Sequence, residues 1–107
     1  MWRFRDPKDF LFVENEDENY QVSFIASEDN KPHNLKFKNS CELSPEKYDK
    51  LQNKPQVKDI TIWPPVPNKK VRDLQAKGRY RISIGIENSS DIYFLCDDIL
   101  GLPETKD

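Results

Sequence analysis

The most regular pattern of apolar and polar positions in this chain covers residues 80–86, which read YRISIGI. Every second residue there is apolar, and a period of two places alternate side chains on opposite faces of a β-strand. The segment therefore predicts a strand with one buried face. Alternation also predicts strands at residues 20–26 and 35–38, and residues 2–5 alternate in the same way. Apolar runs predict strands at residues 10–13 and 92–96, and residues 57–62 are predicted as a further strand.

A helix start is encoded at residues 44–46, which read SPE. Serine caps the first free amides of a helix, proline suits the first helical position, and glutamate favours the positive end of the helix dipole. We expect this helix to end near Asn53, before Pro55, and to bury Tyr48 and Leu51, which lie three positions apart on one face. A second short helix is predicted between residues 68 and 78.

Strands followed by segregated helices indicate a small single α+β domain covering residues 1–107. We expect a largely antiparallel sheet of about five to six strands with two short helices. Three segments outside the predicted elements are an acidic loop at residues 14–19, a proline-rich connector at 63–68, and a terminal segment at 103–107 that we expect to be flexible.

Charge is separated along the chain although the net charge is only −2. Residues 69–81 contain six basic residues and one acid, whereas residues 87–107 contain six acids and one lysine. Such a separation can steer a charged partner, or the two segments can neutralise each other in the folded protein. Charged residues form 34% of the chain, but its 12 aromatic residues can still build a core.

The sequence contains few groups that suggest catalysis or a bound cofactor. Cys41 and Cys96 lack the spacing of metal ligands, His33 is the only histidine, and three glycines cannot build a phosphate-binding loop. We therefore expect no metal, no cofactor and no enzymatic activity. No apolar run is long enough for a signal peptide or a membrane span, so we expect a soluble, cytoplasmic protein with reduced thiols.

The segment WPPVP, at residues 63–67, is one candidate binding element. Trp63, Pro64, Val66 and Pro67 resemble the aromatic-Pro-x-aliphatic-Pro ligands of EVH1 domains, and the two outer prolines with Lys69 also resemble SH3 ligands. The alternative is a rigid connector between a strand and a helix, with Trp63 packed against the core. We favour the connector, because short motifs match by chance and the flanking segments predict ordered elements.

Four arginines form a second candidate site, since Arg3, Arg5, Arg79 and Arg81 alternate with aromatic residues in two predicted strands. If both strands belong to one sheet, the guanidinium groups share its exposed face. Such a face suits phosphates or carboxylates, and arginines between aromatic residues are typical of proteins that bind single-stranded nucleic acid. A nucleic-acid-binding accessory protein is our second hypothesis, and a merely solvated polar face is the alternative.

A third candidate site is the group of acids Asp91, Asp97 and Asp98 near the end of the chain. Carboxylates in pairs can hold Mg²⁺ or Ca²⁺, so a metal-dependent enzyme is our third hypothesis. The alternative is that residues 97–98 cap a short terminal helix over residues 99–102, where acids are favoured. We favour the cap, because no partner motif for a metal site accompanies these acids.

Taken together, these features favour a non-enzymatic protein that binds another protein through its surface, such as an adaptor, an immunity protein or a phage-encoded inhibitor. Frequent Lys, Asn, Asp and Ile are typical of AT-rich bacterial or phage genomes. Most of the binding energy at a protein interface comes from a few residues, often aromatic residues and arginine. Charged residues at the rim of an interface mainly change the rate of association. The residues that we expect to contribute are Arg3, Arg5, Arg79, Tyr80, Arg81, Tyr93, Asp97 and Asp98.

Overall fold

The fold is built from eight β-strands and one α-helix, as seen in a computed structural model that describes residues 1–16, 19–41, 43–65 and 78–104. The strands and the helix are β1 (Trp2–Arg5), β2 (Lys8–Glu14), β3 (Tyr20–Ile25), β4 (Pro32–Lys38), α1 (Pro45–Gln52), β5 (Val57–Trp63), β6 (Tyr80–Ile86), β7 (Ile92–Cys96) and β8 (Asp98–Leu100). The predicted second helix, and parts of the acidic loop and the terminal segment, lie outside the described residues.

The strands form two four-stranded sheets in which all neighbours are antiparallel. Sheet A has the order β1-β5-β6-β7, and sheet B has the order β2-β3-β4-β8. The predicted α+β class with largely antiparallel strands is confirmed. The described residues contain more strands than the five to six expected, and these strands are divided between two sheets because each sheet has one apolar face that needs a partner.

The core lies between the two sheets and is rich in aromatic residues. Phe4 of β1 packs edge-on against Phe24 of β3, with ring centroids 4.9 Å apart, and Phe37 of β4 packs edge-on against Phe94 of β7 at 5.4 Å. Each pair joins one sheet to the other. The alternation that predicted the strands therefore points one face of each sheet into a shared core and leaves the other face outside.

Helix α1 has the predicted start and the predicted buried residue. The Ser44 side chain accepts a hydrogen bond from the Lys47 amide, so it caps the helix as expected. Leu51 is buried, whereas Tyr48 is half-buried beside the rings of Phe12 and Tyr20. The helix thus covers one end of sheet B.

The predicted terminal helix over residues 99–102 is wrong, because this part of the chain forms β8 instead. The chain passes from β7 in sheet A to β8 in sheet B at Asp97, whose amide donates to the Lys38 carbonyl. Ile99 is buried opposite Phe37. Pairing with the free edge of β4 satisfies backbone groups and buries Ile99, which an isolated four-residue helix does not achieve.

Candidate binding surface

Three of the four arginines lie on the same side of sheet A, facing away from the core. Arg3 pairs with Thr61 and Arg5 with Asp59, while Phe4 between them points into the core. Arg81 pairs with Trp63. We call this side the outer face of sheet A. Residues that pair across neighbouring strands form three rows on it: Arg5–Asp59–Gly85, Arg3–Thr61–Ser83–Tyr93 and Trp63–Arg81–Leu95.

Trp63 and Arg81 form a stacked pair at one end of this face. The Arg81 Cζ lies 5.6 Å from the centroid of the Trp63 ring, a distance typical of a cation–π contact. The expectation that Trp63 packs against the core is wrong: Trp63 is half-buried and stands outside the core cluster. The reason is the period of two in β5, where Ile60 and Ile62 take the core side and turn Trp63 outward.

The Arg81 side chain contains a buried donor without an acceptor. Its Nε is inaccessible to water, and within the described residues it has no hydrogen-bond partner and no carboxylate forms an ion pair with Arg81. Buried polar groups in folded proteins are nearly always paired, so an orphan donor marks a position where a partner atom is missing. A carboxylate is the acceptor that fits a guanidinium best.

The row of Trp63 and Arg81 ends at Leu95 of β7, and Cys41 extends it past that strand. Leu95 is fully buried, yet it lies outside the core cluster. The backbones of Cys41 and Leu95 exchange two hydrogen bonds of 2.8 and 3.1 Å, and this bridge protects the edge of sheet A. Arg79 Nη1 donates to the Cys41 Sγ at 3.3 Å. This end of the outer face is therefore more buried and more apolar than the rows of Arg3 and Arg5.

Two of the four arginines already have carboxylate partners. Arg3 pairs with Asp59 at 3.3 Å, and Arg79 donates from Nε to Asp97 Oδ1 at 3.0 Å. Gly85 makes room for the ion pair of Arg3 and Asp59, because a Cβ at position 85 would collide with Asp59 Oδ1. The outer face carries a net positive charge, since Arg3, Arg5 and Arg81 face a single carboxylate in the three rows.

Tyr80 and Tyr93, both predicted to contribute to binding, lie on opposite sides of sheet A. Tyr93 is half-buried on the outer face, in the row of Arg3. Tyr80 pairs with Cys96 on the core side and contacts the ring of Trp2, so it does not join the arginines. Tyr80 and Arg81 are neighbours in β6, and neighbouring residues of a strand point in opposite directions, so Tyr80 faces the core while Arg81 faces outward.

The three acids of the metal-site hypothesis are not brought together. Asp91 lies 4.0 Å from the Lys58 ammonium, Asp97 pairs with Arg79, and Asp98 belongs to sheet B. Asp91 and Asp97 stand at opposite ends of β7, about 20 Å apart for six residues of extended chain. Within the described ranges, no group of three or more His, Cys, Asp or Glu is placed to hold a metal ion.

The two cysteines differ in environment. Cys96 is buried in the core, and burial raises the pKa of its thiol to about 12. Cys41 is half-buried at the edge of the outer face, beside the Arg79 guanidinium. Neither thiol forms a disulfide.

The docking-peptide hypothesis can be placed only in part. Trp63 ends β5, Pro64 is half-buried and Pro65 is exposed, whereas Val66 and Pro67 lie outside the described residues. The stacked pair of Trp63 and Arg81 was missed from the sequence. The signal for it was the alternation in β5, which excludes Trp63 from the side taken by Ile60 and Ile62.

The described part of the chain contains no helix that is long and apolar enough to cross a membrane. No protein-family model, no curated protein and no solved structure matches this chain.

Proposed function

We propose that this is a non-enzymatic binding protein that engages a carboxylate-bearing segment of another protein through the outer face of sheet A. The observation that carries the proposal is the buried, unpartnered Nε of Arg81, next to the half-buried indole of Trp63. A partner carboxylate would satisfy that donor once the Arg81 side chain turns enough to bring Nε within its reach, and the pairing would remove the cost of the unpaired group.

The composition of the face supports a protein partner. Trp, Tyr and Arg are the residues that most often carry binding energy at protein interfaces, and Trp63, Arg81 and Tyr93 all belong to this face. They are held by a four-stranded sheet, so little conformational entropy is lost when a partner orders them. A protein partner of about standard size would cover roughly 800 Å² on each side, which extends beyond these three residues to Arg3 and Arg5.

Electrostatics favours protein over nucleic acid. Nucleic-acid affinity grows with the number of phosphates that basic residues neutralise. On this face Arg3 already pairs with Asp59, and beside its edge Arg79 pairs with Asp97, so among the described arginines Arg5 and Arg81 are left for phosphates. Two phosphate contacts would give a salt dependence with a slope of only about −1.4 for a single strand. A short acidic segment of a protein, in contrast, can be bound by only one or two guanidinium groups.

A protein of this kind would act in the cytoplasm as an adaptor, an immunity protein or a phage-encoded inhibitor. Free cysteines are typical of that compartment.

The test is to select peptides from a random display library on the folded protein and to titrate synthetic copies by fluorescence anisotropy. We expect the selected peptides to combine an Asp or Glu with an apolar or aromatic residue. Arg81→Met and Trp63→Ala should each weaken their binding by about tenfold or more, equivalent to about 1.4 kcal/mol. Replacing the peptide acid by its amide should cost little further in the Arg81→Met variant, because the two changes remove the same contact.

The matched control is Lys36→Met, which removes an exposed cation from the outer face of sheet B. It should leave peptide affinity unchanged. Selected peptides without acids, or affinities that Arg81→Met does not alter, contradict the proposal. Micromolar binding of a single-stranded oligonucleotide at physiological salt, lost in Arg81→Met, would establish the nucleic-acid alternative in its place.

A further inference from the structure

The backbone edges of the two sheets differ in how well they are protected. At the edge of β7, the Cys41 backbone bridges to the strand, and the Lys47 ammonium donates to the Tyr93 carbonyl at 2.8 Å. β8 is only three residues long, and its Ile99 amide donates to the Asp98 side chain at 2.9 Å. Short edge strands and covering groups discourage the pairing of a further strand, so neither edge invites one.

The edge of β2 is protected in another way. Its register with β3 shifts between Lys8 and Leu11, which interrupts the regular spacing of backbone groups. The Gln52 side chain of α1 donates to the Phe12 carbonyl at 3.2 Å, so the helix binds a backbone group of this strand. A strand added to β2 would have to follow an irregular edge beside α1.

The edge of β1, in contrast, keeps free backbone groups. The Asp6 amide donates to the Lys58 carbonyl of β5. Since backbone groups alternate in direction along an antiparallel strand, the amides and carbonyls of Arg3 and Arg5 point away from β5. Of these four groups, only the Arg5 amide has a partner among the described residues, the Glu28 carboxylate at 2.8 Å. Edge groups left free in this way are a template for another strand.

Two arginines lie along this edge on the outer face of sheet A. Arg3 and Arg5 are exposed, and Asp59 of β5 faces them, with its carboxylate 3.3 Å from the Arg3 guanidinium. A strand added to β1 would place every second side chain beside them on the same face. Opposite charges on neighbouring strands attract and like charges repel, so acids are favoured at these positions of the added strand.

The core side of the same edge adjoins a cavity of about 380 Å³. Trp2, Phe4 and Ala26 form its apolar lining, and the Trp2 indole N–H donates to the Pro103 carbonyl at 2.7 Å. Glu28, which binds the Arg5 amide at the edge, also lines this cavity, so the cavity opens beside the free backbone groups. The side chains of an added strand that point away from the arginines would enter it.

The polar lining of the cavity does not favour one sign of charge. The lining residues besides those named are Met1, Arg3, Asp29, His33 and Glu104. Asp29 is already bound to the His33 ring at 2.9 Å, and groups of both signs are present. A charged side chain therefore gains little on this side, whereas an apolar one extends the contacts of Trp2, Phe4 and Ala26.

A second copy of this chain does not suit the edge. Because the free groups belong to Arg3 and Arg5, two β1 strands related by a two-fold axis would pair around Phe4. This pairing places Arg3 of one copy opposite Arg5 of the other on the same face, and like charges directly opposite each other are destabilising. The charge of the edge thus selects a segment that carries acids.

We propose that β1 accepts an extended segment of a partner protein as a fifth strand of sheet A. This segment alternates acidic residues, which lie beside Arg3 and Arg5, with apolar residues, which enter the cavity. Its backbone pairs with the free groups of Arg3 and Arg5, and one of its carbonyls replaces the Glu28 carboxylate on the Arg5 amide. The added strand lies three strand spacings, about 14 Å, from β6, so this site does not depend on the proposed role of Arg81.

The test compares two peptides of equal composition and charge. The first, acetyl-Ser-Glu-Val-Glu-Val-Glu-Ser-amide, has the alternating pattern, and the second, acetyl-Ser-Glu-Glu-Glu-Val-Val-Ser-amide, has the same residues in blocks. We expect the alternating peptide to bind about fivefold more tightly in fluorescence anisotropy, because only its acids all share one face of a strand. N-methylation at successive positions of this peptide should alternate between loss and retention of binding, since every second amide points to β1.

Hydrogen exchange followed by NMR reports on the edge itself. The Arg3 amide should exchange rapidly in the free protein and be protected when the alternating peptide is added. The Phe4 amide, which points to β5, is the internal control and should be protected in both states.

Two variants of the full chain test the charges and the displaced carboxylate. The double variant Arg3→Glu, Arg5→Glu should weaken binding of the alternating peptide by about tenfold and should instead prefer the peptide with lysine in place of glutamate. This reversal of preference shows that the variant is folded. Glu28→Ala should tighten binding about threefold, because the added strand no longer has to displace a carboxylate. Lys36→Met, on the outer face of sheet B, is the matched control and should change nothing.

The proposal is overturned if the alternating and blocked peptides bind equally, or if the Arg3 amide gains no protection from the alternating peptide. Protection of the Arg3 amide without peptide, together with dimers in light scattering, would show that a second copy occupies the edge instead. Loss of this peptide's binding in Arg81→Met would place the peptide on the outer face of sheet A and not at the edge of β1. A peptide that depends on Arg81 but leaves the Arg3 amide unprotected supports the proposed function alone.

Discussion

The Arg81 guanidinium lies over the ring of Trp63, 5.6 Å from its centroid, on the side of sheet A that faces away from the core. The contact contributes about 0.5–1 kcal/mol, whereas a buried donor without an acceptor costs about 1–3 kcal/mol. The cost exceeds the gain. We therefore expect Arg81→Met to raise the free energy of unfolding by about 1 kcal/mol while it removes binding at the outer face of sheet A.

Urea denaturation followed by circular dichroism measures this change, and Arg3→Met is the matched control. Arg3 lies on the same face, but its guanidinium is exposed and paired with Asp59, so its replacement should alter stability by less than about 0.5 kcal/mol. A clear loss of stability in Arg81→Met would show that its Nε has a partner in solution. A residue that lowers stability but supports binding is the pattern expected at a functional site.

The two cysteines should react with thiol reagents at very different rates. With a pKa of about 12, Cys96 has about one thiolate in ten thousand molecules at pH 8, and its side chain is fully buried. Cys41 is accessible in part, and its Sγ accepts a hydrogen bond from the Arg79 guanidinium. We expect iodoacetamide to label Cys41 first in the native protein, as mass spectrometry of timed samples would show. Comparable rates at both cysteines would mean that the core opens easily around Cys96.

Cys96 also predicts a loss of stability at high pH. Its folded pKa, about 12, lies above the ordinary value of 9.0, so the folded state holds the thiol proton more tightly than the unfolded chain does. The resulting stabilisation is complete below pH 9 and is lost as the pH rises from 9 towards 12, by up to about 1.4 kcal/mol for each pH unit.

The measurement is the difference in unfolding free energy between the wild type and Cys96→Ala across this pH range, since other groups titrate equally in both proteins. We expect the advantage of the wild type to shrink above pH 9. A difference that stays constant up to pH 11 contradicts the raised pKa.

Leu51 should anchor α1 to the rest of the protein. Its side chain is 1% exposed, and replacing a buried leucine by alanine removes apolar contacts and leaves a cavity. Leu51→Ala should lower the free energy of unfolding by about 2–5 kcal/mol, as measured by thermal and urea denaturation. Leu11→Ala is the control, because Leu11 is 48% exposed on sheet B and should change stability by less than about 0.5 kcal/mol.

Gly101 and Gly78 allow a comparison of two glycines that both have positive φ. A Cβ at Gly101 would collide with the Asn34 carbonyl oxygen, whereas a Cβ at Gly78 would meet no atom within 4 Å. Gly78→Ala should therefore cost only the strain of the left-handed conformation, about 1 kcal/mol. Gly101→Ala should cost clearly more, and it should also free the Trp2 indole N–H from Pro103, which NMR would detect. Equal costs would argue against the close approach of β8 to β4.

The sequence alone determined the local elements, because their signals are short-range. Alternation placed β6 at its observed position, a nearly continuous apolar run placed β7, and the serine–proline start placed α1. Each of these signals depends on which side of a strand is buried, or on which residue caps a helix, and neither property needs information from distant residues.

The sequence also indicated which residues share a side of a strand. It grouped Arg3 with Arg5 and Arg79 with Arg81, opposite their aromatic neighbours, and β1 and β6 do belong to one sheet. Trp63 shows the limit of that reasoning. Proline residues after it suggested a corner packed on the core, but the alternation within β5 turned it outward.

Only the tertiary structure decided how the eight strands seen in the described part of the chain divide between two sheets, since strand pairing joins residues that are far apart in sequence. β8 exists because β4 offers it a free edge, and three residues carry too little pattern to predict that. The buried Arg81 donor and the contact from Trp2 to Pro103, which spans 101 positions, arise in the same way. Local propensity specifies the strands of this protein, whereas packing of their apolar faces brings together the residues that can bind a partner.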